Sequence, residues 1–352
     1  MAHIIILGAG VMGSAMTLPA AHAGNRITLV GTHLDEEIVG SVASAGRHPR
    51  LNITLPGAVT ACSWTEFGAV MNDGPDLLVL GVSSAGIPWA IDRIAESIKS
   101  PVPILMITKG LAASDDGIEI LPHLLAREIE QRTGLSVPVM AVGGPCIAGE
   151  LAAQRDTSVI VAGHDPDKIA AASRILRAPF YHARPSSDLV GVEICAAFKN
   201  FYTLAIGSPV GLLERDNKAS NGALMYNLAS SLFSQSLAEM AILVEALGGK
   251  IETVLGLAGS GDLYVTCQAG RNGRMGRLLG RGLPYSVAKR EHMSSDTVEG
   301  AQLALDLGQT LKNMMMARGV LPYDRLPLTS AIIDAICDDA PLVLSFDRYH
   351  RG

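Results

Sequence analysis

A short run, His3-Ile4-Ile5-Ile6-Leu7, leads directly into Gly8-Ala9-Gly10-Val11-Met12-Gly13, and this junction constrains the fold more than any other stretch of the chain. A strand followed at once by that glycine spacing and then by a helix makes a phosphate-binding turn. The first glycine permits the tight turn, the second lets a pyrophosphate approach the backbone, and the third lets helix pack closely on strand. The helix start also offers free N–H groups to an anion. An ordinary glycine-rich turn is the alternative, but the rest of the amino-terminal half favours the dinucleotide reading. Short apolar runs recur at residues 26–30, 76–80, 103–107, 138–142 and 158–162, with amphipathic segments such as 89–99 and 117–132 between several of them. That alternation predicts an α/β amino-terminal half built on a doubly wound parallel sheet covered by helices on both faces.

From about residue 187 the apolar period lengthens to 3.6, which predicts helices over 188–206, 224–247 and 298–316. Gly248-Gly249 stops the second of these, and Ser295-Asp296-Thr297 supplies caps for the third. The expected division is a dinucleotide-binding domain over residues 1–187 and an all-α carboxyl-terminal domain over 188–352 for substrate binding and catalysis. A length of 352 residues accommodates two cores.

Hydrophobic residues make up 48% of the chain and charged residues 18%, a balance that supports packed cores rather than disorder. A net charge of −6 gives no general attraction to phosphate backbones, so nucleic acid is not expected as a partner and any anion must bind locally. The five cysteines form no Cys-x-x-Cys pair, which fits a reducing, cytoplasmic compartment. Residues 1–25 carry no Lys, Arg, Asp or Glu, but they lack a basic leader and are broken by glycine, so they read as folded structure. No stretch stays apolar for the roughly 20 residues that a membrane span requires.

Loops that follow parallel strands open on one edge of the sheet, where ligands bind. This places Val82-Ser83-Ser84-Ala85-Gly86, Thr108-Lys109-Gly110 and Gly143-Gly144-Pro145-Cys146 on that edge and makes Lys109 a candidate cation beside nicotinamide and substrate. The second strand ends Val30-Gly31-Thr32-His33, with Asp35 only later, so a phosphorylated and an unphosphorylated adenosine ribose both remain open. His33 is a candidate for the adenosine end or a solvated loop histidine.

In the helical half, Gly191-Val192-Glu193-Ile194-Cys195-Ala196-Ala197-Phe198-Lys199-Asn200-Phe201 sets a lysine in an apolar helix. A buried ammonium is unfavourable without a partner or task. Lys199 is therefore the first catalytic candidate, exchanging a proton with a substrate hydroxyl or carbonyl, against the alternative of a lysine snorkelling to solvent. Asp262 and Thr266 fall on one helical face and could orient Lys199 or bind hydroxyls, while Asp262 could equally cap a helix. Gly270-Arg271-Asn272-Gly273-Arg274-Met275-Gly276-Arg277 is a local cationic cluster suited to phosphate, or a solvated basic face.

Taken together, the glycine turn, Thr108-Lys109-Gly110, Gly144-Pro145, Gly191-Val192-Glu193, Lys199-Asn200, Leu237-Ala238-Glu239-Met240, Gly261-Asp262-Leu263, Thr266-Cys267, Arg271-Asn272 and Val298-Glu299-Gly300 resemble NAD(P)-dependent glycerol-3-phosphate dehydrogenase over nearly the whole chain. The resemblance implies a Rossmann-like first domain, NAD or NADP as cofactor, no metal, and a likeness to homodimeric enzymes. It implies reversible hydride transfer between the nicotinamide and C2 of dihydroxyacetone phosphate or sn-glycerol 3-phosphate. On that resemblance Lys199 is the proton donor and acceptor, and Lys109 and Asp262 complete the catalytic set. Lys109, Gly144, Asn200, Thr266, Arg271 and Asn272 are its substrate-binding positions. Val11, Met12, Ala148 and Glu299 match its cofactor-contacting positions, with Arg271 near the cofactor; together with Gly8, Gly10 and Gly13 of the turn, His33 and Lys109 they form the expected cofactor-binding set. Cys146 stands where the family carries a serine, and residues 212–231 are longer than the family version, which leaves a larger polyol or sugar phosphate as an alternative substrate. A ketoacid reductase and a non-enzymatic dinucleotide sensor are the competing readings.

Overall fold

The computed structural model describes residues 1–114, 117–216, 223–317 and 320–349. The chain forms two compact units, Met1–Lys109 with Leu121–Val192, and Gly110–Ile120 with Glu193–Gly352.

The first unit is built on an eight-stranded sheet. Its strands lie in the order Tyr181–Ser186, Thr157–Ala162, Val139–Gly143, Ile104–Met106, Leu77–Leu80, His3–Leu7, Arg26–Val30 and Val59–Cys62. The last six run parallel, while Thr157–Ala162 pairs antiparallel with Val139–Gly143. This is the doubly wound α/β architecture that the apolar runs predict. Central strands such as His3–Leu7 and Leu77–Leu80 are buried throughout, as helices on both faces require. Helix punctuation follows local chemistry: Asp165 Oδ1 accepts from the N–H groups of Asp167 and Lys168 at 2.9 and 3.2 Å and starts the helix Pro166–Ile175.

The second unit is helical, with one β-hairpin, Leu111–Ser114 paired to Gly117–Ile120. The helix expected over 117–132 therefore begins only at Leu121 and ends at Thr133. Gly117 sits at φ +123°, and the Leu111↔Ile120 and Ala113↔Ile118 register draws Gly117–Ile120 into a strand. The expected helices over 188–206, 224–247 and 298–316 are present as Leu189–Ile206, Tyr226–Ala246 and Glu299–Met316. Of the extended segment, 217–222 lies outside the described residues. The stretch Leu189–Asp216 is long and apolar enough to cross a membrane, but 83% of its most apolar window is buried inside the protein, as in a core helix.

Four helices of this unit touch through backbone. A Cβ on Gly276 would lie 2.1 Å from the Leu204 carbonyl oxygen, one on Gly280 2.1 Å from that of Ser208, and one on Gly300 2.2 Å from that of Asn200. Glycine at these positions lets Arg271–Gly280 and Glu299–Met316 press directly against the helix Leu189–Ile206 and the helix Ser208–Asp216 that follows it. Elsewhere the fully buried Glu239 accepts from Leu328 N and Thr329 N at 2.7 Å and from Thr329 Oγ1 at 2.6 Å, capping Pro327–Cys337. Thr329 also bonds the Tyr202 hydroxyl at 2.8 Å, one turn along from Lys199.

Glu214 ties Ser208–Asp216 to Arg271–Gly280 through ion pairs with Arg277 and Arg281. Hydrogen bonds from Arg277 and then Arg281 lower the Glu214 pKa to about 2 from 4.5. A depressed carboxylate stabilises the fold above its unfolded pKa and loses that contribution as pH falls through the folded value. Acid unfolding followed by circular dichroism is thus expected to show a component between pH 4.5 and about 2 that Glu214→Gln removes, reduced in size because the pair is solvent-screened.

Candidate active site

The glycine turn of the first unit has the form its spacing predicts. Gly8 adopts φ +113°, and a Cβ there would lie 2.7 Å from the Gly81 carbonyl carbon; one on Gly13 would lie 2.1 Å from Gly8 O. A Cβ on Gly10 would meet nothing within 4 Å. Gly8 and Gly13 therefore shape the turn, while Gly10 leaves backbone open to an incoming anion, with the first-turn N–H groups of Val11 and Met12 beside it. The turn thus fits a dinucleotide pyrophosphate.

The peptide at Ala9 is held at both ends. Its N–H donates to Asp35 Oδ2 at 3.2 Å, and its carbonyl lies 3.2 Å from His48 Nε2. Leu51 N–H donates to His48 Nδ1 at 3.0 Å, so that nitrogen is an acceptor and the imidazole hydrogen sits on Nε2, pointing at Ala9. His48 has no exposed surface, and burial lowers its pKa, which keeps the neutral tautomer in place. Asp35 Oδ2 also accepts from Thr32 N at 2.9 Å and Thr32 Oγ1 at 2.8 Å. Neither Asp35 nor His48 belongs to the glycine motif, and only the acid's position after the second strand marks either of them in the sequence.

His33, at the same edge, packs edge-on against Trp89 at 5.8 Å between ring centres, and Trp89 in turn meets Trp64 at 6.4 Å. Lys109 is half-buried and follows Thr108, whose hydroxyl donates to Val82 O at 2.7 Å. Gly144 is buried at φ +113°, and the half-buried Ala148 opens the helix Ala148–Ala152.

In the second unit Lys199 is 8% exposed and its Nζ is paired with Asp262 Oδ1, itself 1% exposed. The lysine does not snorkel. Asp262 reaches it from the first position of the helix Asp262–Gln268, directly after a π-helical turn at Leu257–Gly261. Such turns are rare and tend to mark functional segments; here Gly259 allows it, since a Cβ would lie 2.1 Å from Val254 O. Thr266 donates to Asp262 O at 2.6 Å and Thr203 to Lys199 O at 2.7 Å, so both hydroxyls reinforce the helices that carry the pair. Burial pushes the neighbouring Cys267 thiol up to about 11, which leaves it unreactive near neutral pH.

Beside Lys199, Asn200 Oδ1 accepts from Asn272 Nδ2 at 3.0 Å, and Asn272 Oδ1 accepts from Gly300 N–H at 2.8 Å. Arg271, half-exposed, is paired with Glu299. The rest of the cationic cluster is engaged elsewhere: Arg274 reaches Asp296 at 3.2 Å and His292 O at 2.6 Å, and Arg277 pairs with Glu214. Within that cluster Arg271 is the guanidinium that stands beside the asparagines. Lys199, Asn200, Asp262, Thr266, Arg271, Asn272 and Glu299 all belong to the second unit, and Gly8, Gly10, Val11, Met12, Gly13, His33, Lys109, Gly144 and Ala148 to the first.

Residues 3–169 match the family model for the NAD-dependent glycerol-3-phosphate dehydrogenase N-terminus, and residues 188–343 match that for its C-terminus. The chain is 34% identical to the NADP(+)-dependent glycerol-3-phosphate dehydrogenase of Archaeoglobus fulgidus over 82% of its own length and 83% of that protein. It is 31% identical to a glycerol-3-phosphate dehydrogenase [NAD(P)+] of Coxiella burnetii over 82% of its own length and 81% of the relative. The crystal structure of glycerol-3-phosphate dehydrogenase from Coxiella burnetii superposes with a TM-score of 0.76 at 27% identity, covering 97% of this chain and 96% of the other. Glycerol-3-phosphate dehydrogenase of Plasmodium falciparum, at 19% identity and a TM-score of 0.81 over 100% of this chain and 96% of the other, shares the fold.

The grip on Ala9 separates two roles for Asp35. If its carboxylate holds the turn, Asp35→Ala weakens NADH and NADPH alike, by about tenfold in Kd measured by calorimetry. A residue reading the ribose 2′-hydroxyl would instead lose NADH affinity selectively and gain NADPH affinity.

Proposed function

The chain belongs to the NAD-dependent glycerol-3-phosphate dehydrogenase family, and from that premise we propose that Lys199 exchanges the proton in a reversible hydride transfer between NAD(P)(H) and C2 of dihydroxyacetone phosphate or sn-glycerol 3-phosphate. The observation that carries this reading is the buried Lys199–Asp262 pair, set next to Asn200. The nicotinamide, when bound, supplies or accepts the hydride at C2.

In the reducing direction the Lys199 ammonium gives a proton to the C2 oxygen as negative charge develops there, and Asp262 remains ionised beside the resulting amine. In the oxidising direction the amine takes the hydroxyl proton, and the Asp262 carboxylate stabilises the ammonium that forms. Arg271 supplies a forked cation for the substrate phosphate, and Asn200 supplies amide hydrogens. Thr266 of the second unit and Gly144 of the first are assigned to the substrate. Gly8, Gly10, Val11, Met12 and Gly13 seat the pyrophosphate, His33 the adenosine end, and Lys109, Ala148, Arg271 and Glu299 the remainder of the cofactor. No residue in this scheme requires a metal ion.

The same reading assigns dinucleotide binding to residues 1–187 and substrate binding with catalysis to 188–352. It places the protein in the cytoplasm, which is consistent with five free cysteines, and makes it a homodimer through its helical half, where Leu255 and Tyr323 are exposed.

Purified protein is expected to oxidise NADH or NADPH with dihydroxyacetone phosphate. Lys199→Ala is expected to lower kcat by about 10²–10⁴-fold while the Kd for reduced cofactor stays within about threefold. Unchanged turnover would remove the assignment of Lys199, and no turnover of the wild type with any phosphorylated ketose would remove the function.

A further inference from the structure

We propose that Arg50 is a specificity-determining residue of the cofactor site, the group that recognises the 2′-phosphate of NADP(H) and makes the protein prefer it to NAD(H). Dinucleotide sites of this architecture read the adenosine ribose from the segment after the second strand, where an acid accepts from a free 2′-hydroxyl or an arginine receives a 2′-phosphate. The acid here, Asp35, is turned inward. It is 9% exposed, and its Oδ2 already accepts from Ala9 N, Thr32 N and Thr32 Oγ1, so the carboxylate serves the turn. What the segment offers instead is a hairpin. Arg47–His48 pairs antiparallel with Ile53–Thr54, His48 opposite Ile53, and Pro49, Arg50, Leu51 and Asn52 connect them. The connection is tightly closed: Asn52 N donates to His48 O at 2.9 Å, Leu51 N donates to His48 Nδ1 at 3.0 Å, and Asn52 takes φ +56°. The hairpin is tied to the cofactor turn through His48, whose buried imidazole meets the Ala9 carbonyl at 3.2 Å.

Charge singles out one side chain on that hairpin. Between residues 31 and 76 the only arginines or lysines are Arg47 and Arg50. Arg47 is hydrogen-bonded to Asn52 Oδ1, whereas Arg50 is exposed and makes no hydrogen bond or ion pair among the described residues. The Arg50 charge helps to disfavour a proton on His48, so the guanidinium stands near the imidazole that grips Ala9. His33, at the same edge, packs against Trp89. Glu36 and Glu37, exposed in the first turn of the helix Glu36–Ala45, bring negative charge to this segment. Without Arg50 the segment would repel a second phosphate; with it, a forked cation keeps its donors for phosphate oxygens. The closed hairpin holds that cation beside the glycine turn, which lowers the ordering cost of using it.

This inference rests on the glycine turn as the seat of the pyrophosphate, and binding rather than turnover tests it. Kd values for NADPH, NADH and adenosine 2′,5′-bisphosphate are measured by calorimetry on the full-length wild type, Arg50→Ala and Arg50→Lys. The wild type is expected to bind NADPH more tightly than NADH. Arg50→Ala is expected to weaken NADPH and the bisphosphate by about 10–100-fold while NADH stays within about threefold. Arg50→Lys is expected to keep part of the preference, as a point charge without the fork. Equal weakening of NADPH and NADH would mean that Arg50 only supports the hairpin, and would overturn the proposal. Unchanged NADPH binding in Arg50→Ala would overturn it too, as would a wild type that binds NADH at least as tightly as NADPH. Failure of the wild type to bind either dinucleotide would defeat the reading of the turn itself, an outcome distinct from loss of the preference alone.

Discussion

The helical unit buries an ammonium and a carboxylate together, Lys199 and Asp262, almost out of reach of solvent. Lys199 and Asp262 are 63 residues apart in sequence, and removing either would break a buried ion pair, a loss of about 3–5 kcal/mol. Such a pair is weak evidence for stability, since well-packed apolar residues of similar volume often serve the fold as well or better. Its retention at the end of a π-helical turn, beside Asn200, points to chemistry instead. The Lys199 helix is itself deeply buried: Phe198, Phe201 and Tyr202 have no exposed surface, and Tyr202 is bonded into the Glu239 network.

Close backbone contact through glycine recurs in both units. In the first unit Gly8 and Gly13 bring turn, strand and helix together, and Ala9 is held through both its N–H and its carbonyl. In the second, Gly276, Gly280 and Gly300 press helices against the carbonyls of Leu204, Ser208 and Asn200. A side chain at any of these points would push the elements apart, and the donors they carry would move with them. The two units thus use the same packing device.

The parts of this architecture legible in the sequence are those with local causes. His3–Leu7 and Arg26–Val30 appear at their predicted limits because buried central strands are continuous apolar runs. Val59–Cys62 and Tyr181–Ser186 escaped prediction because they are edge strands; the latter carries exposed His182, Arg184 and Pro185 and lacks an apolar run. Gly117–Ile120 read as the start of a helix because four residues cannot separate the two periods, and its pairing with Leu111–Ser114 settled the matter. In the site, Lys199 was conspicuous as a charge in an apolar helix, and Asp262 as a possible partner. The engagement of Arg274 and Arg277 with Asp296 and Glu214 was not legible, nor was the amide chain from Gly300 to Asn200, because both depend on which helices meet.

The claim that the buried pair exists for proton exchange is tested most directly by replacing both members at once, Lys199→Met with Asp262→Leu, and measuring unfolding stability, cofactor affinity and turnover on the same preparation. The account predicts a folded protein with a thermal midpoint at or above that of the wild type, retained NADPH binding and no measurable reduction of dihydroxyacetone phosphate. A double variant that still turns over within about tenfold of the wild type would contradict it.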